Sequence, residues 1–529
     1  EDGIRDLVRS RGLGDVYKRQ AEGLVVDDLS ARTRPELLEA LNGTSGLIVR
    51  SATLADEELL ERASSLEVIG RAGVGLDNID LEAATRRGIA IINAPAGNTV
   101  STAEHAFALL LSLARGIPRA DASMRAGRWE RKAFQGAQLA EKTLGVVGAG
   151  RIGAEVIRRA RAFGMHVLVS DPYLSESRAA GLGVRSVPLG KLLEESDYVT
   201  LHLPLVEDTH HLIGAAELAR MKPTAGLVNA ARGGIVDEAA LADALREGTI
   251  AGAALDVFEI EPLPADDPLR SCPNLIMTPH LGASTPEAQR EVAIEIALAV
   301  RDALLEGDLG PAVNLPSVAP EDRPRAEHLL ELARHLGCLL EGLSDGAVSS
   351  LGVRFTGPPG ALFQLVVASA VEGFLSRRLA GPLNLINAVV LAEERGIEVS
   401  RTRVRTEGRG RDWVELTAEA DGVRRSVAGK VTSRGELRLL RIDGFRVEVT
   451  PRGALLCVRN DDVPGVIGGI GTILGGAGVN IGEFHQARDR QRGEALGVVS
   501  LDAELSPERL SALREIAGVR DVRQVRLTD

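Results

Sequence analysis

The sequence lacks several features that define whole classes of protein. It has three cysteines in 529 residues, far apart and without metal-ligand spacing, so neither a disulfide framework nor a metal site is expected. They are Cys272, Cys338 and Cys457. No apolar run approaches the ~20 residues of a membrane span, and no signal peptide is recognisable. We therefore expect a cytoplasmic protein with reduced thiols.

An excess of basic residues is also missing. The formal net charge is −12 and the pI is near 5.5, which argues against a nucleic-acid-binding surface because phosphate backbones attract basic faces. Hydrophobic residues at 44% and charged residues at 26% are ordinary for a globular protein. The negative net charge still allows a local basic pocket for a small anion. Because 529 residues are too many for one hydrophobic core, a multidomain protein is predicted.

Short apolar runs alternate with helical stretches through the first 310 residues. The runs at 24–28, 46–49, 67–70 and 89–92 predict a parallel sheet. One long helix is predicted from Thr102 to about Gly127. A second parallel sheet is predicted from the runs 143–148, 166–170, 198–203, 226–231 and 251–257. The fold class is therefore α/β, with two Rossmann-like or flavodoxin-like domains, and a helix is expected at 286–306.

The two ends of the chain depart from this pattern. Residues 1–20 have no clear period and are interpreted as a foreign or aberrant N-terminus, either poorly ordered or pairing only near Asp6 to Val8. A Pro-rich linker at 310–324 precedes an α/β segment, 319–452, that has no interpretable motif. Residues 453–529 follow the βαββαβ order of ferredoxin-like modules.

The stretch GAGRIG at 148–153 has the GxGxxG form of dinucleotide-binding turns. It follows a predicted strand and opens a helix, and Asp171 ends the next strand. Gly148 permits the turn, Gly150 lets the backbone approach a pyrophosphate, and Gly153 lets the helix pack on the strand. Asp171 would accept hydrogen bonds from the adenosine ribose and repel a 2′-phosphate, so NAD is predicted over NADP. A plain glycine-rich turn is the alternative.

Three motifs end strands of the second predicted sheet, where open α/β sheets bind ligands. They are NAARGG (229–234), DVFEIEP (256–262) and TPHLGAST (278–285). Reduction of a 2-keto acid needs a grip on the carboxylate, a proton donor, and a group that keeps the donor protonated. Arg232, His280 and Glu261 can supply these in turn. Singly, each is more often an ordinary loop residue, so the prediction depends on their combination.

With these motifs, residues 24–316 resemble the D-isomer-specific 2-hydroxyacid dehydrogenase family. Further matching stretches are VRSAT (49–53), RAGVGLDNID (71–80), INAPAGN (92–98), AEHAFALLL (103–111) and ALDVF (254–258). The resemblance implies that Arg232, Glu261 and His280 are catalytic. It implies cofactor contacts at Gly148, Gly150, Arg151, Ile152, Gly153, Asp171, Ala230, Arg232, Asp256, His280, Gly282 and Ala283.

The substrate implied by the long form of this family is 3-phospho-D-glycerate, oxidised to 3-phosphohydroxypyruvate in the first step of L-serine synthesis. The expected substrate-binding residues are Arg50, Arg71, Gly73, Asn98, Arg131 and Lys132. Arg50 and Arg71 lie at predicted strand ends and can hold a phosphate. In the resembling enzymes, a basic loop equivalent to WERK (129–132) approaches the active site, sometimes from the partner subunit.

The C-terminal module resembles an ACT domain, through the DxPG and VNI elements of residues 461–484. ACT domains pair edge to edge and bind amino acids at the seam, which implies a homodimer or homotetramer and L-serine contacts at Asp462 and Asn480. A purely structural pairing module is the alternative. The domains are then 21–98 with 285–318 (substrate-binding), 99–284 (NAD-binding), 319–452 (intervening, regulatory) and 453–529 (ACT).

Two other functions fit the same motifs. One is a D-2-hydroxyacid dehydrogenase without phosphate preference. The other is an NAD-sensing binding protein, like the corepressors that share this fold. The complete set of Arg232, Glu261 and His280 argues against the second.

Overall fold

The part of the chain that the structure describes forms four β-sheets, which follow one another along the sequence. The computed structural model describes residues 5–8, 23–379, 381–404 and 412–527. Among these residues, no helix is long and apolar enough to cross a membrane. The first two sheets are parallel, the third is mixed and the fourth is antiparallel.

The first sheet has the strand order β2-β1-β3-β4-β5. Its elements are β1 (Arg5–Val8), β2 (Val25–Asp28), α1 (Arg34–Ala40), β3 (Thr44–Val49), α2 (Glu57–Arg62), β4 (Val68–Arg71), α3 (Leu81–Arg86) and β5 (Ala90–Asn93). β1 lies inside the sheet and pairs with both β2 and β3 over four residues, with a register shift on the β3 side. Short pairing near Asp6 to Val8, one of the two predicted alternatives, is observed, and that the pairing is limited to this stretch stays a prediction. The rest of 1–20 lies outside the described residues, and its foreign origin stays a prediction.

The second sheet has the order β12-β11-β10-β9-β6-β7-β8, and helices cover both of its faces. Its strands are β6 (Thr143–Val147), β7 (His166–Ser170), β8 (Arg185–Ser186), β9 (Tyr198–Leu201), β10 (Gly226–Asn229), β11 (Gly252–Leu255) and β12 (Leu275–Met277). The helices of this region are α4 (Thr99–Arg115), α5 (Ile117–Arg125), α6 (Arg151–Ala162), α7 (Glu176–Leu182), α8 (Leu189–Glu195), α9 (Ala215–Arg220), α10 (Glu238–Glu247) and α11 (Pro286–Glu306). Short 3₁₀ helices are Arg131–Phe134, Glu207–Thr209 and Pro268–Ser271.

The single helix predicted at 102–127 is wrong. Gly116 takes a left-handed conformation with φ of +59° and ends α4, and α5 starts at the next residue with Pro118 in its first turn. Glycine adopts this φ without steric cost, and proline tolerates a first-turn position because that amide has no helical partner. The helix predicted at 286–306 is confirmed as α11.

The chain crosses between the first two sheets twice, and polar contacts line both crossings. The Glu295 carboxylate on α11 accepts hydrogen bonds from the amides of Ala96 and Gly97, at 2.9 Å for Gly97. The Ser101 hydroxyl donates to the carbonyl oxygen of Gly282 at 2.8 Å. α11 itself packs on the first sheet, where Ile296 and Val300 are buried against Val68. We call the polar contacts of Glu295 and Ser101, which join the two crossing segments, the hinge.

The C-terminal half contains the third and fourth sheets, ordered β14-β13-β15-β16-β17-β18 and β20-β21-β19-β22. Its first group of elements is 3₁₀ helix Pro320–Asp322, α12 (Arg323–Leu343), β13 (Val348–Thr356), α13 (Ala361–Leu375), α14 (Ala388–Glu393), β14 (Glu398–Val404), β15 (Trp413–Ala420), β16 (Val423–Val431), β17 (Leu437–Ile442) and β18 (Phe445–Val449). The second group is β19 (Gly453–Asp461), α15 (Val466–Gly476), β20 (Ile481–Asp489), β21 (Glu494–Leu501), α16 (Pro507–Arg514) and β22 (Val519–Leu527), which confirms the predicted βαββαβ order.

One hydrophobic core joins the two sheets of the C-terminal half. Leu336 and Leu340 of α12 belong to the same buried cluster as Leu455 of β19 and Val525 of β22. A Cβ added to Gly342 would lie 2.4 Å from the Val525 side chain, so the helix and the fourth sheet are in direct contact. We call this contact the C-terminal seam.

The C-terminal half meets the first sheet through a loop before α14. The Asn384 side chain donates to the Gly88 carbonyl oxygen at 2.7 Å, and Asn387 to that of Arg86 at 3.4 Å. Between them, Ile386 is buried in the cluster that α11 forms on the first sheet. This docking loop fixes the C-terminal half beside β5.

Candidate active site

The GAGRIG turn connects β6 to α6 with the geometry that a dinucleotide needs. Gly148 has φ of +89°, and a Cβ on Gly153 would lie 2.1 Å from the Gly148 carbonyl oxygen. Gly150 is the N-cap of α6, and no described atom lies within 4 Å of where its Cβ would be. The open helix N-terminus therefore suits a pyrophosphate, whose oxygens would accept hydrogen bonds from the unpaired N–H groups of the first helical turn.

Asp171 follows β7 and faces the same turn. Its carboxylate accepts hydrogen bonds from the amides of Ala149 and Tyr173, both at 2.8 Å. Because each carboxylate oxygen has two lone pairs, both oxygens can still accept a ribose hydroxyl. The position and the chemistry of Asp171 fit an adenosine ribose at this strand end.

Asp256 is a buried carboxylate at the centre of the 278–283 turn. It accepts hydrogen bonds from Nε2 of His105 at 3.0 Å, from the hydroxyl of Thr278, and from the amides of Leu281 and Gly282 at 2.8 and 2.9 Å. Burial acts to raise the pKa of Asp256, but these donors hold it below its usual value. The turn that carries His280 is thus fixed to a stable anion.

His280 and Glu261 form a hydrogen-bonded pair. His280 has φ of +52°, and its Nδ1 lies 2.7 Å from Oε2 of Glu261. The other carboxylate oxygen accepts the Phe258 amide at 3.0 Å. The hydrogen bond to Glu261 raises the pKa of His280, although burial acts to lower it. Burial acts to raise the pKa of Glu261, but the same hydrogen bond holds that pKa below its usual value. Nε2 of the half-exposed imidazole is left to exchange a proton.

Arg232 lies in the turn after β10, directly against the segment that carries Glu261. The Asn229 side chain closes this turn by donating to the Arg232 carbonyl oxygen at 2.9 Å. A Cβ on Gly233 would lie 1.9 Å from the Phe258 carbonyl oxygen, so the two segments touch through their backbones. The residues predicted as catalytic are therefore carried by adjoining loops at one edge of the sheet.

The guanidinium groups of Arg50, Arg71 and Arg232 form a cluster of interacting charges, and the Arg232 guanidinium lies against Gly75 in the loop after β4. Arg71 ends β4 and Arg50 follows β3. The charges of Arg50 and Arg232 both act on the Arg71 guanidinium. Burial, with the charges of Arg232 and Arg50, lowers the pKa of Arg71, while the carboxylate of Asp77 opposes this. That carboxylate lies 3.8 Å from Nε of Arg232 and is mostly exposed. Three cations beside one carboxylate make a site for a small anion of more than one charge.

Three family models match successive parts of the chain. Residues 107–282 match the NAD-binding domain of D-isomer specific 2-hydroxyacid dehydrogenases, 325–443 the D-3-phosphoglycerate dehydrogenase intervening domain, and 455–518 the ACT domain. D-3-phosphoglycerate dehydrogenase from Synechocystis sp. is 41% identical over 529 residues, which cover 99% of this chain and 94% of the relative. The chain belongs to the D-3-phosphoglycerate dehydrogenase family.

This family assignment extends over the full length of the chain. The D-3-phosphoglycerate dehydrogenase of Methanocaldococcus jannaschii is 39% identical, over 97% of this chain and 98% of the relative. A solved glyoxylate reductase from Paecilomyes thermophila is 32% identical with a TM-score of 0.54, and covers 61% of this chain and all of that one. The predicted fold class, family and NAD cofactor are confirmed.

As a family member, the chain has the predicted substrate residues in two separate places. Gly73, with φ of +148°, packs against the Arg71 guanidinium, and Asn98 precedes α4 with its Oδ1 buried and without a partner among the described residues. Arg131 and Lys132 are exposed on a 3₁₀ helix. No described hydrogen bond or ion pair joins these two to the guanidinium cluster, so their role stays a prediction.

The two residues predicted to bind serine each have a partner within the chain. The Asp462 carboxylate is ion-paired with Arg488, at 2.8 Å from Nε to both oxygens. The Asn480 side chain donates to Asp502 at 2.8 Å. No described hydrogen bond joins Asp462 to Asn480, and a serine site there stays a prediction.

Sequence reasoning missed three polar groups near the site. His105 and Thr278 bind Asp256, and Glu238 accepts the Glu259 amide at 2.7 Å. His105 could have been noticed as an ionisable residue inside an apolar helix pattern, and Thr278 as part of the TPHLGAST motif. Nothing in the spacing of Glu238 signals its contact, because the contact forms across a loop.

Proposed function

We propose that the protein oxidises 3-phospho-D-glycerate to 3-phosphohydroxypyruvate with NAD, the first step of L-serine synthesis. This proposal is carried by the loop after β4, where the Arg71 guanidinium lies against Gly73 and that of Arg232 against Gly75, with Arg50 near enough to act on Arg71. A substrate with a carboxylate at one end and a phosphate at the other needs two separate cationic contacts, and the cleft provides three. A plain 2-hydroxy acid needs one.

In this proposal, Arg232 grips the substrate carboxylate and orients C2 toward the cofactor. His280 accepts the C2 hydroxyl proton at Nε2, while its Nδ1–H donates to Glu261 and fixes the tautomer. When bound, NAD accepts the hydride that leaves C2. In the reverse direction, the imidazolium that Glu261 stabilises donates the proton to the carbonyl oxygen. Arg50 and Arg71 hold the phosphate.

The test compares substrates in the full-length protein. NADH oxidation is measured with 3-phosphohydroxypyruvate and with glyoxylate, and repeated with NADPH. We expect kcat/KM to favour the phosphorylated keto acid and NADH. Equal or better turnover of glyoxylate would make the protein a D-2-hydroxyacid dehydrogenase without phosphate preference.

A matched pair of variants tests the phosphate assignment. Loss of a charge-assisted contact of about 1.5–3 kcal/mol predicts that Arg50→Gln raises KM for 3-phosphohydroxypyruvate roughly 10- to 150-fold. KM for glyoxylate should not change. Arg86→Gln, which alters a surface ion pair with Glu82 on α3, is the control. Equal effects of Arg50→Gln on both substrates would contradict a phosphate contact.

We further propose that paired ACT domains bind L-serine through Asp462 and Asn480. In this proposal the ammonium group of serine shares the Asp462 carboxylate with Arg488 or displaces the Arg488 guanidinium from it. Calorimetry with L-serine on the wild type, Asp462→Ala and Asn480→Ala, with D-serine as control, measures this. Absence of heat with the wild type would leave a structural pairing module.

A further inference from the structure

The segment Phe258–Glu261 is held by side chains outside the predicted catalytic set. Glu238, the first residue of α10, accepts the Glu259 amide at 2.7 Å. In return, the Glu259 carboxylate lies 2.9 Å from Nε2 of His211 and 3.5 Å from the Glu238 amide. Backbone and side chain of Glu259 are thus both fixed, which ties the segment to α10 and to the loop before α9.

Glu259, the residue fixed by these contacts, is two positions before Glu261 in the sequence. The Phe258 amide, at the start of the same segment, donates to Glu261, and Glu261 holds Nδ1 of His280 at 2.7 Å. A shift of Glu259 would move both the donor to Glu261 and Glu261 itself. A hydrogen bond weakens steeply as its length and angle change, so such a shift would weaken the bond from Glu261 to His280.

We propose that Glu238, assisted by His211, is a positioning residue that holds Glu261 in hydrogen-bonding contact with His280. The proposal deepens the function proposed above and rests on His280 as the acid–base group. Glu238 acts through the Glu259 backbone and contacts neither reacting atom.

Glu238 can keep its contact with the Glu259 amide whether or not it is protonated. Burial, together with the carboxylates of Glu259, Asp267 and Glu261, raises the pKa of Glu238 to about 7. An oxygen of either the acid or the carboxylate can accept the Glu259 N–H. His211 supplies a donor to the Glu259 carboxylate, and its ring stacks on His210 with centroids 4.0 Å apart.

These features predict that glutamine can replace Glu238 and alanine cannot. Glu238→Gln keeps an accepting oxygen, whereas Glu238→Ala removes it. Asp243→Asn, on the same helix in an exposed pair with Arg246, is the matched control. The His280 pKa is measured in the full-length protein without substrate by carbon-13 NMR of labelled histidine, with the signal assigned by its loss in His280→Ala. The pH profile of kcat with 3-phosphohydroxypyruvate is measured alongside.

We expect Glu238→Ala to lower the His280 pKa, to move the alkaline limb of kcat to lower pH, and to reduce kcat roughly 10- to 100-fold at alkaline pH. Glu238→Gln and Asp243→Asn should match the wild type. An unchanged His280 pKa in Glu238→Ala, or equal effects of alanine and glutamine, would overturn the proposal.

A second variant serves if Glu238→Ala does not fold. His211→Phe removes the donor to Glu259 and keeps a ring for stacking, so it should lower the His280 pKa in the same direction; no change would overturn the proposal. The NMR result does not need turnover. A wild type inactive on 3-phosphohydroxypyruvate would therefore disprove the proposed substrate while leaving the positioning role testable.

Discussion

The two segments that cross between the first two sheets are held by polar contacts, whereas the third and fourth sheets meet through an apolar core. At the hinge, a carboxylate on α11 binds two backbone amides and a hydroxyl binds a carbonyl oxygen. At the C-terminal seam, α12 and the fourth sheet bury leucine and valine side chains in one cluster. Water can replace the first kind of contact at about 0.5–1.5 kcal/mol per hydrogen bond. Exposing one buried leucine costs about 1.5–3 kcal/mol, with no replacement.

The difference shows where motion can occur. The cleft between the first two sheets has Arg50 and Arg71 on one side and Arg232, His280 and Glu261 on the other, so a ligand bound to both sides would need the two sheets to separate and close. A polar hinge permits this. The C-terminal half has no such requirement, and its continuous core makes the third and fourth sheets one body.

The largest effect is expected at the polar cleft. His280→Ala removes the proton-transfer group and should lower kcat by about 10²–10⁴, with only a small fall in melting temperature because its pair with Glu261 is partly exposed. Binding of NADH, followed by fluorescence, should persist. A variant with near-wild-type kcat would contradict the acid–base role.

The apolar seam should respond in the opposite way. Leu336→Ala leaves a cavity in the shared core and should destabilise the protein by about 2–5 kcal/mol, with kcat at low temperature almost unchanged. Denaturant unfolding measures this, and Leu305→Ala, at an exposed position of α11, is the control. A stability loss no greater than that of Leu305→Ala would show that the seam is not a true core.

The polar cleft can be examined more finely through its pH dependence. Since Glu261 raises the pKa of His280, Glu261→Gln should move the alkaline limb of keto-acid reduction to lower pH. The raised His280 pKa adds stability below about pH 6.5 that is lost as pH rises through the folded pKa; the lowered Glu261 pKa adds stability above about pH 4.5 that is lost as pH falls. The variant's deficit in stability should therefore be greatest between these values. An unchanged pH–rate profile would contradict the pairing.

The smallest effect is expected at the hinge itself. Glu295→Ala leaves the amides of Ala96 and Gly97 to water and should cost about 1 kcal/mol of stability. Its kinetic effect should fall on KM more than on kcat, because closure and not chemistry is altered. Glu291→Ala, exposed on the same helix, is the control. If Glu295→Ala lost as much stability as Leu336→Ala, the contrast between the hinge and the C-terminal seam would be wrong.

Local pattern was enough to predict much of the fold and the site. The strands that end at GAGRIG, NAARGG and TPHLGAST follow from apolar runs and turn residues, and parallel strands bring their carboxyl ends to one edge. That rule brings Arg232, Glu261 and His280 together without any measured distance. The break at Gly116 was missed although Gly116 followed by Pro118 is a helix-stop signal; the apolar pattern before Gly116 was extended past it, where only Ser123 of α5 is buried.

Contacts between distant segments could not be predicted in this way. Leu336 and Val525 are both in apolar patterns, but a pattern shows that a face is buried and not what covers it. Similarly, the charge of Arg488 gave no sign that it would bind Asp462. Glu238 was missed because its partner is a backbone amide, which every residue but proline has.

The docking loop and the C-terminal seam differ in what a truncation of the chain would expose. Removal of the chain after 318 would strip the first sheet of one buried isoleucine and two asparagine contacts. Removal after 452 would instead open the core that Leu336 shares with Leu455 and Val525. The third and fourth sheets are therefore one structural unit, and a truncation after 452 should expose more apolar surface than one after 318.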